Sequence, residues 1–129
     1  MNFNWKELLA LADYLRKKPD SYPCSEEGIY RSVINRAYYA ALNTAATFIR
    51  DEIGDQLPDD ASYHKVINKF FSNETNISLL LDKLRNKRNR ADYSPESGNF
   101  REMALSAINE SRELMESPQF RDLFVKSGK

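Results

Sequence analysis

The residues with the clearest chemical potential form a basic cluster between positions 83 and 90. This segment contains Lys83, Arg85, Lys87, Arg88 and Arg90 and no acidic residue. Guanidinium groups recognise phosphate through paired hydrogen bonds, so the cluster is typical of a phosphate-binding surface. A run of charges is also commonly the solvated side of a helix, and Lys83, Lys87 and Arg90 are predicted to point to solvent.

Arg88 falls where the helical pattern expects an apolar side chain. A stripe at helical spacing precedes it, formed by Ile77, Leu80, Leu81 and Leu84. Projected down the helix axis, Arg88 lies about 20° from Ile77, near the middle of the buried face. An isolated guanidinium there is costly. Arg88 is therefore expected either to pair with Asp92, one turn further on, or to line a phosphate-binding cleft with Arg85.

The chain has one histidine, His64, and one cysteine, Cys24. His64 opens the third predicted helix, where it could act as a general base or serve as a hydrogen-bonding residue at the helix end. A metal site is not expected, because the sequence has one histidine, one cysteine and no clustered carboxylates. No cofactor is expected either. The lone cysteine excludes an internal disulfide, and a reducing cytoplasm is the expected location.

The second predicted helix carries a polar and aromatic stripe that suits a protein interface. Ser32, Arg36, Tyr39 and Asn43 recur at helical spacing beside several alanines. Small residues let a second helix approach closely, and such a stripe is typical of protein contacts. A homodimer interface is expected at Arg36, Ala37, Tyr39, Ala40 and Asn43. The alternative is ordinary packing within a bundle.

Helices must position all of these residues, because the sequence shows no sustained alternation of the kind that predicts strands. Prolines and glycines divide the chain into helix-length pieces. The predicted helices are 4–18, 25–53, 62–71, 77–91 and 99–115, with a short last helix beginning at Ser117-Pro118. Ser25 is a predicted N-cap, and capping-box spacings occur at Asn4 and Asn99. We predict one all-α domain over residues 1–129, an antiparallel bundle of four to five helices with a short extra C-terminal helix.

The overall charge and hydropathy exclude two classes of protein. Among 129 residues, 19 Lys and Arg balance 19 Asp and Glu, which argues against holding nucleic acid by bulk charge. No run of about 18 apolar residues predicts a membrane span. The N-terminus has no basic segment followed by an apolar core, so no signal peptide and no membrane partner are expected.

Two segments together resemble the HEPN superfamily. They are Arg36–Ala41, which reads RAYYAA, and Leu84–Tyr93, which reads LRNKRNRADY, with the lone His64 between them. The most similar branch is a small prokaryotic one with an RAYYA segment and an R-x-x-R-x-x-A-D-Y ending. The resemblance covers about residues 5–117.

This resemblance implies a helical bundle that dimerises and often has a toxin or defence role. Many relatives are metal-independent ribonucleases in which an Arg and a following His on one late helix meet their dimer mates in a cleft. There the His helps the 2′-hydroxyl attack the adjacent phosphate, while the Arg stabilises the developing charge. Other relatives are inactive partners of a small nucleotidyltransferase, which acts as the cognate antitoxin.

The sequence departs from the ribonuclease pattern at one important point. No histidine lies four to six residues beyond Arg85 or Arg88, and Asp92-Tyr93 stands there instead. The residues expected to act in catalysis are Arg85, Arg88, Asp92, Tyr93 and His64. Those expected to bind nucleic acid are Arg85, Lys87, Arg88, Asn89 and Arg90. Two functions follow, an RNA-targeting ribonuclease and a non-catalytic partner of a nucleotidyltransferase or another defence protein.

Overall fold

The computed structural model describes residues 3–21, 23–54, 56–58, 62–121 and 123. Within these residues the chain forms five α-helices and no strand, which confirms the predicted all-α bundle. The helices are α1 (Lys6–Lys17), α2 (Glu26–Thr47), α3 (Tyr63–Phe70), α4 (Thr75–Tyr93) and α5 (Phe100–Met115). Short 3-10 turns follow at Pro19–Ser21 and Pro118–Phe120, the second being the predicted short C-terminal helix.

Helix α2 lies at the centre of the bundle and packs against α1, α3, α4 and α5. At its C-terminal end, the Trp5 Nε1 that precedes α1 donates a hydrogen bond to Thr47 Oγ1 at 3.2 Å. Near its N-terminal end, Asn35 contacts Asp92 in the last turn of α4. Each contact joins the beginning of one helix to the end of another. Helices α1 and α4 therefore run antiparallel to α2.

Local signals set the ends of α2. The Ser25 hydroxyl accepts a hydrogen bond from the Gly28 amide at 3.1 Å, which confirms the predicted N-cap. After Thr47 the helix continues as a π-helical segment, Phe48–Ile53, and stops at Gly54 with a φ of 90°. A positive φ favours glycine because a side chain there meets the backbone. The long predicted helix thus exists, with its last turns widened.

The two predicted capping boxes do not form. The Asn4 Oδ1 accepts from the Lys6 amide at 3.0 Å, so it makes a local turn instead of reaching the third residue of α1. Asn99 donates from its side chain to the Glu102 carboxylate at 2.8 Å, and no side-chain bond to the backbone caps α5. Asn4 therefore bonds the first amide of α1, Asn99 bonds the Glu102 side chain in place of its amide, and neither makes the reciprocal pair of a capping box.

Helix α3 buries a different face from the one its apolar residues suggest. Val66 and Phe70 are 37% and 40% exposed, whereas His64 is 7% exposed. This eight-residue helix packs against α2 and α4 along the side that carries His64 and Ile67. The histidine therefore belongs to the buried side of α3, together with Ile67.

The alanines assigned to a dimer interface lie inside the chain's own core. Ala37 and Ala40 have no exposed surface, because the neighbouring helices cover them. Neither can contact a second copy, so this part of the predicted interface is wrong. Arg36, Tyr39 and Asn43 remain half-buried at the surface of α2. No helix in the described part of the chain is long and apolar enough to cross a membrane.

Candidate functional site

Arg88 projects from the C-terminal half of α4 into a group of three tyrosines. Its guanidinium carbon lies 5.3, 5.6 and 5.8 Å from the ring centres of Tyr38, Tyr39 and Tyr93. Its Nη2 donates to the Tyr39 hydroxyl at 3.2 Å. A cation over aromatic faces at these distances is attracted by the ring electrons. The tyrosines therefore explain how a guanidinium occupies a largely apolar face.

The pairing of Arg88 with Asp92 is present but loose. Arg88 Nε lies 3.8 Å from Asp92 Oδ2, and the same carboxylate oxygen accepts a hydrogen bond from Asn35 Nδ2 at 3.0 Å. The Nε atom is buried and makes no hydrogen bond to any residue that the structure describes. The expected ion pair with Asp92 thus exists, but the three tyrosine rings provide most of the contacts of Arg88.

Burial alone would lower the pKa of Arg88, but its neighbours reverse that effect. Tyr39, Tyr38, Tyr93 and Asp92 raise the pKa above its usual value. The positive charge is therefore kept in a site from which water is largely excluded. Because an electrostatic interaction is stronger where water is displaced, a phosphate reaching this group would be bound more firmly than by a fully solvated arginine.

A hydrogen-bonded chain lies beneath Arg88 and includes His64. The Tyr38 hydroxyl is 2.7 Å from His64 Nδ1, and His64 Nε2 is 3.4 Å from Asp82 Oδ1. Asn68 Nδ2 donates to the same Asp82 oxygen at 2.5 Å. A carboxylate only accepts hydrogen bonds, so the His64 proton belongs on Nε2, and Tyr38 is then the donor to Nδ1.

Both members of the Tyr38–His64 pair are held in their neutral forms. Burial raises the pKa of Tyr38 to about 12, against the opposing effect of Arg88 and Arg85. Burial also lowers the pKa of His64, and Arg85 and Arg88 act in the same direction while Asp82 opposes them. A neutral phenol donating to a neutral imidazole is the arrangement that this burial favours.

These contacts favour the hydrogen-bonding interpretation of His64 over that of a general base. The structure brings His64 next to Tyr38 and so below Arg88, a proximity that the sequence left open. Its ring is nevertheless buried, and both of its nitrogens already face partners. His64 therefore holds the Tyr38 side chain in place through a hydrogen bond, and the Tyr38 ring in turn contacts the Arg88 guanidinium.

The remaining predicted phosphate ligands lie in different surroundings. Arg85 and Arg90 are exposed, and Asn89 is half-buried with its Oδ1 accepting from Arg88 Nη1 at 3.1 Å. Lys87 does not point to solvent as predicted, because α5 packs beside it and its Nζ lies 2.9 Å from Glu110 Oε2. Tyr93 is 74% exposed at the rim of the site.

Several residues that shape the site were missed by sequence reasoning. Arg31 of α2 donates to the carbonyl oxygens of Ala91, Ser94 and Glu96 at 3.1, 2.7 and 2.9 Å. It thereby fixes the last turn of α4, where Asp92 and Tyr93 lie. Three of these residues contact partners that are far away in the sequence: Arg31, Tyr38 and Asp82. No spacing pattern along one helix could have predicted those contacts.

The described residues contain no group of three or more His, Cys, Asp or Glu side chains that could hold a metal ion. No family model matches the chain, and neither the curated proteins nor the solved structures with which it was compared give a match. The residues around Arg88 are therefore the basis on which a function can be argued.

Proposed function

We propose that this protein is a HEPN-type, RNA-targeting toxin or defence protein that binds RNA through the Arg88 site. The observation that carries the proposal is the charged Arg88 guanidinium held among Tyr38, Tyr39 and Tyr93. Proteins recognise single-stranded RNA with cationic groups for the phosphates and aromatic rings for the unstacked bases. Arg85, one turn away and exposed, supplies a second cation.

The proposal includes cleavage of the bound RNA without a metal ion, as the family resemblance implies. The 2′-oxygen would bond to the adjacent phosphorus and displace the 5′-oxygen of the next nucleotide, giving a 2′,3′-cyclic phosphate and a 5′-hydroxyl, while Arg85 and Arg88 stabilise the charge that develops on the phosphate. Asp92 and Tyr93 are exposed beside them and are the groups available for proton transfer. His64 is a positioning residue in this scheme, because its ring does not reach the surface.

A homodimer forms part of the same proposal. The half-buried residues Arg36, Tyr39 and Asn43 lie on one face of α2 beside the Arg88 site. A two-fold contact through Arg36, at one end of this face, would bring the arginines of two copies to one shared cleft and leave the surface from Tyr39 to Arg50 open to RNA. The fully buried alanines of α2 play no part in such a contact.

A specific set of contacts favours the second candidate, a non-catalytic partner of a small nucleotidyltransferase or another defence protein. His64 is locked between Tyr38 and Asp82, and the Asp92 carboxylate already accepts from Asn35. Lys87 is paired with Glu110. Each of these groups has a structural role within the chain, which is expected of a module that binds a protein.

RNA binding tests the first candidate directly. The wild type is titrated into a fluorescein-labelled single-stranded decanucleotide in EDTA, and both anisotropy and RNA integrity are followed. Arg85→Gln and Arg88→Gln should each weaken binding and stop any cleavage. Arg101→Gln removes the same charge from an exposed position on α5 and should behave as wild type.

The two candidates give different results in this experiment. A folded wild-type protein that binds no RNA would reject the first candidate. Stable co-purification with a nucleotidyltransferase encoded by a neighbouring gene would then support the second. Cleavage that EDTA abolishes and added Mg²⁺ restores would contradict the metal-free mechanism.

A further inference from the structure

The pairing of an arginine with a tyrosine occurs a second time beside the Arg88 site. Arg50 Nη2 donates to the Tyr63 hydroxyl at 2.8 Å, and its guanidinium carbon lies 5.9 Å from the Tyr63 ring centre. The Arg88–Tyr39 pair has the same form, with a hydrogen bond of 3.2 Å and a ring distance of 5.6 Å. Each pair presents a cation and an aromatic face together.

The two pairs lie along one side of α2. Tyr39 and Asn43 are four residues apart and so lie on the same side of α2, and Arg50 follows in the π-helical segment beyond Thr47. The Tyr63 hydroxyl lies 3.4 Å from Asn43 Oδ1, between the two pairs. Tyr39 and Arg50 are separated by roughly 16 Å at ~1.5 Å rise per residue. Arg50 is exposed and Tyr63 is half-buried, so both can be reached from solvent.

The charges between the two pairs favour an anionic strand. Arg85 is exposed on α4, about one helical turn before Arg88. Asp82 and Asp92, near Arg85 and Arg88, each accept a hydrogen bond, Asp82 from Asn68 and Asp92 from Asn35. Each donor places partial positive charge against its carboxylate, which reduces the repulsion of a phosphate.

We infer that Arg50 and Tyr63 form a second nucleotide subsite, and that single-stranded RNA lies along α2 from Arg88 to Arg50. This inference rests on the proposed function, because it extends the same RNA-binding surface. At ~3.4 Å per stacked nucleotide, a separation of roughly 16 Å corresponds to about five nucleotides. A decanucleotide therefore reaches both subsites, whereas a trinucleotide occupies one.

Salt dependence and oligonucleotide length separate this subsite from a structural role for Arg50. For a single strand, each lost phosphate contact should lower the slope of log affinity against log salt by about 0.7. Arg50→Gln should reduce the decanucleotide slope by that amount and weaken its binding several-fold, while trinucleotide binding stays unchanged. Tyr63→Leu should weaken decanucleotide binding about fivefold or more through lost stacking, with the slope unchanged.

The outcome that would overturn the inference differs from the one that would overturn the proposed function. If Arg50→Gln and Tyr63→Leu both bind the decanucleotide like Arg101→Gln, while Arg88→Gln does not bind, the second subsite is rejected and the proposed function stands. If the folded wild type binds no RNA, or Arg88→Gln binds normally, both are rejected. Circular dichroism of each variant establishes that it is folded.

Discussion

At the scale of single residues, aromatic rings decide how Arg88 is held. Its carboxylate neighbour Asp92 is exposed and 3.8 Å from Arg88 Nε, whereas three tyrosine rings lie within 6 Å. At 3.8 Å the pair is at the edge of ion-pair distance, and with Asp92 reaching solvent it is expected to contribute ~0–1 kcal/mol. Cation–π contacts contribute ~0.5–2 kcal/mol, with the larger values where water is excluded. The tyrosines therefore hold the cation more firmly than the carboxylate does.

Asp92→Asn should change the free energy of unfolding by less than about 1 kcal/mol, because the Asn35 amide can still donate to the new side chain. Arg88→Met should cost more, about 1–2 kcal/mol, through the loss of the ring contacts. Urea denaturation of both variants measures the difference. A loss of ~3–5 kcal/mol in each would show instead that a buried ion pair holds the site together.

The buried His64 should make stability depend on pH. Its pKa is lowered in the folded state, so the unfolded chain binds more protons as the pH falls through the unfolded value of about 6.5. The contribution of neutral His64 to the free energy of unfolding is therefore fully present above about pH 6.5. It is lost as the pH falls from there to the pKa of His64 in the folded state.

Urea denaturation between pH 5 and pH 8 measures this dependence. His64→Asn removes the titrating group, so its free energy of unfolding should fall less on acidification than that of the wild type. Tyr38→Phe, measured at neutral pH, leaves His64 Nδ1 buried without its donor and should cost ~1–3 kcal/mol. If the free energy of unfolding depended on pH in the same way for the wild type and His64→Asn, His64 would not be the source of the pH dependence.

At the scale of helices, α2 is the element that positions the site. It supplies Tyr38 and Tyr39 to the Arg88 site and Arg31 to the last turn of α4. Its length depends on an N-cap at Ser25 and on a left-handed stop at Gly54. Arg50 lies in the widened segment between them.

Two glycine substitutions of opposite effect test the ends of α2. Gly54→Ala should destabilise the protein by ~1–2 kcal/mol, because the φ of 90° is unfavourable for an L-residue although nothing lies within 4 Å of the new Cβ. Gly28→Ala should stabilise it by ~0.5–1 kcal/mol, because the added Cβ meets Ser25 Oγ at an ordinary 3.4 Å within a helix. Thermal melts should show a lower melting temperature for Gly54→Ala and a higher one for Gly28→Ala. Shifts of both variants in the same direction would contradict this explanation of the helix ends.

At the scale of the whole molecule, a chain with no net charge still carries local groups of basic residues. The formal net charge is zero, yet Arg50, Arg85 and Arg88 lie along the junction of α2, α3 and α4. Within a Debye length of ~8–10 Å, such local groups determine what a charged ligand meets. Zero net charge is therefore compatible with a local phosphate-binding surface.

The whole molecule is also the scale of the proposed dimer. Sedimentation at micromolar concentration should give twice the mass of one chain, and Arg36→Glu should weaken that association. Ala40→Arg is unsuited to the test, because Ala40 is fully buried in the chain's own core and its substitution would disrupt folding. Glu113→Lys, at an exposed position on α5, is the control for a changed charge. A monomer in the wild type would contradict the dimer.

The sequence by itself determined most of what depends on near neighbours, apart from the capping boxes at Asn4 and Asn99, which do not form. The Ser25 N-cap, the stop at Gly54 and the apolar faces of α4 and α5 all involve residues within about one helical turn. Such interactions repeat at fixed spacing, so a pattern predicts them. The type and order of the helices followed from these signals, as did the position of Arg88 on an apolar face.

The tertiary structure alone decided which distant side chains meet. Tyr38 and His64 are 26 residues apart, and Arg88 and Tyr39 are 49 apart. Periodicity could not show that three tyrosines surround Arg88, that α3 buries the side carrying His64, or that Lys87 pairs with Glu110 of α5. Those outcomes depend on how whole helices pack, and packing is a property of facing surfaces that no spacing along one helix encodes.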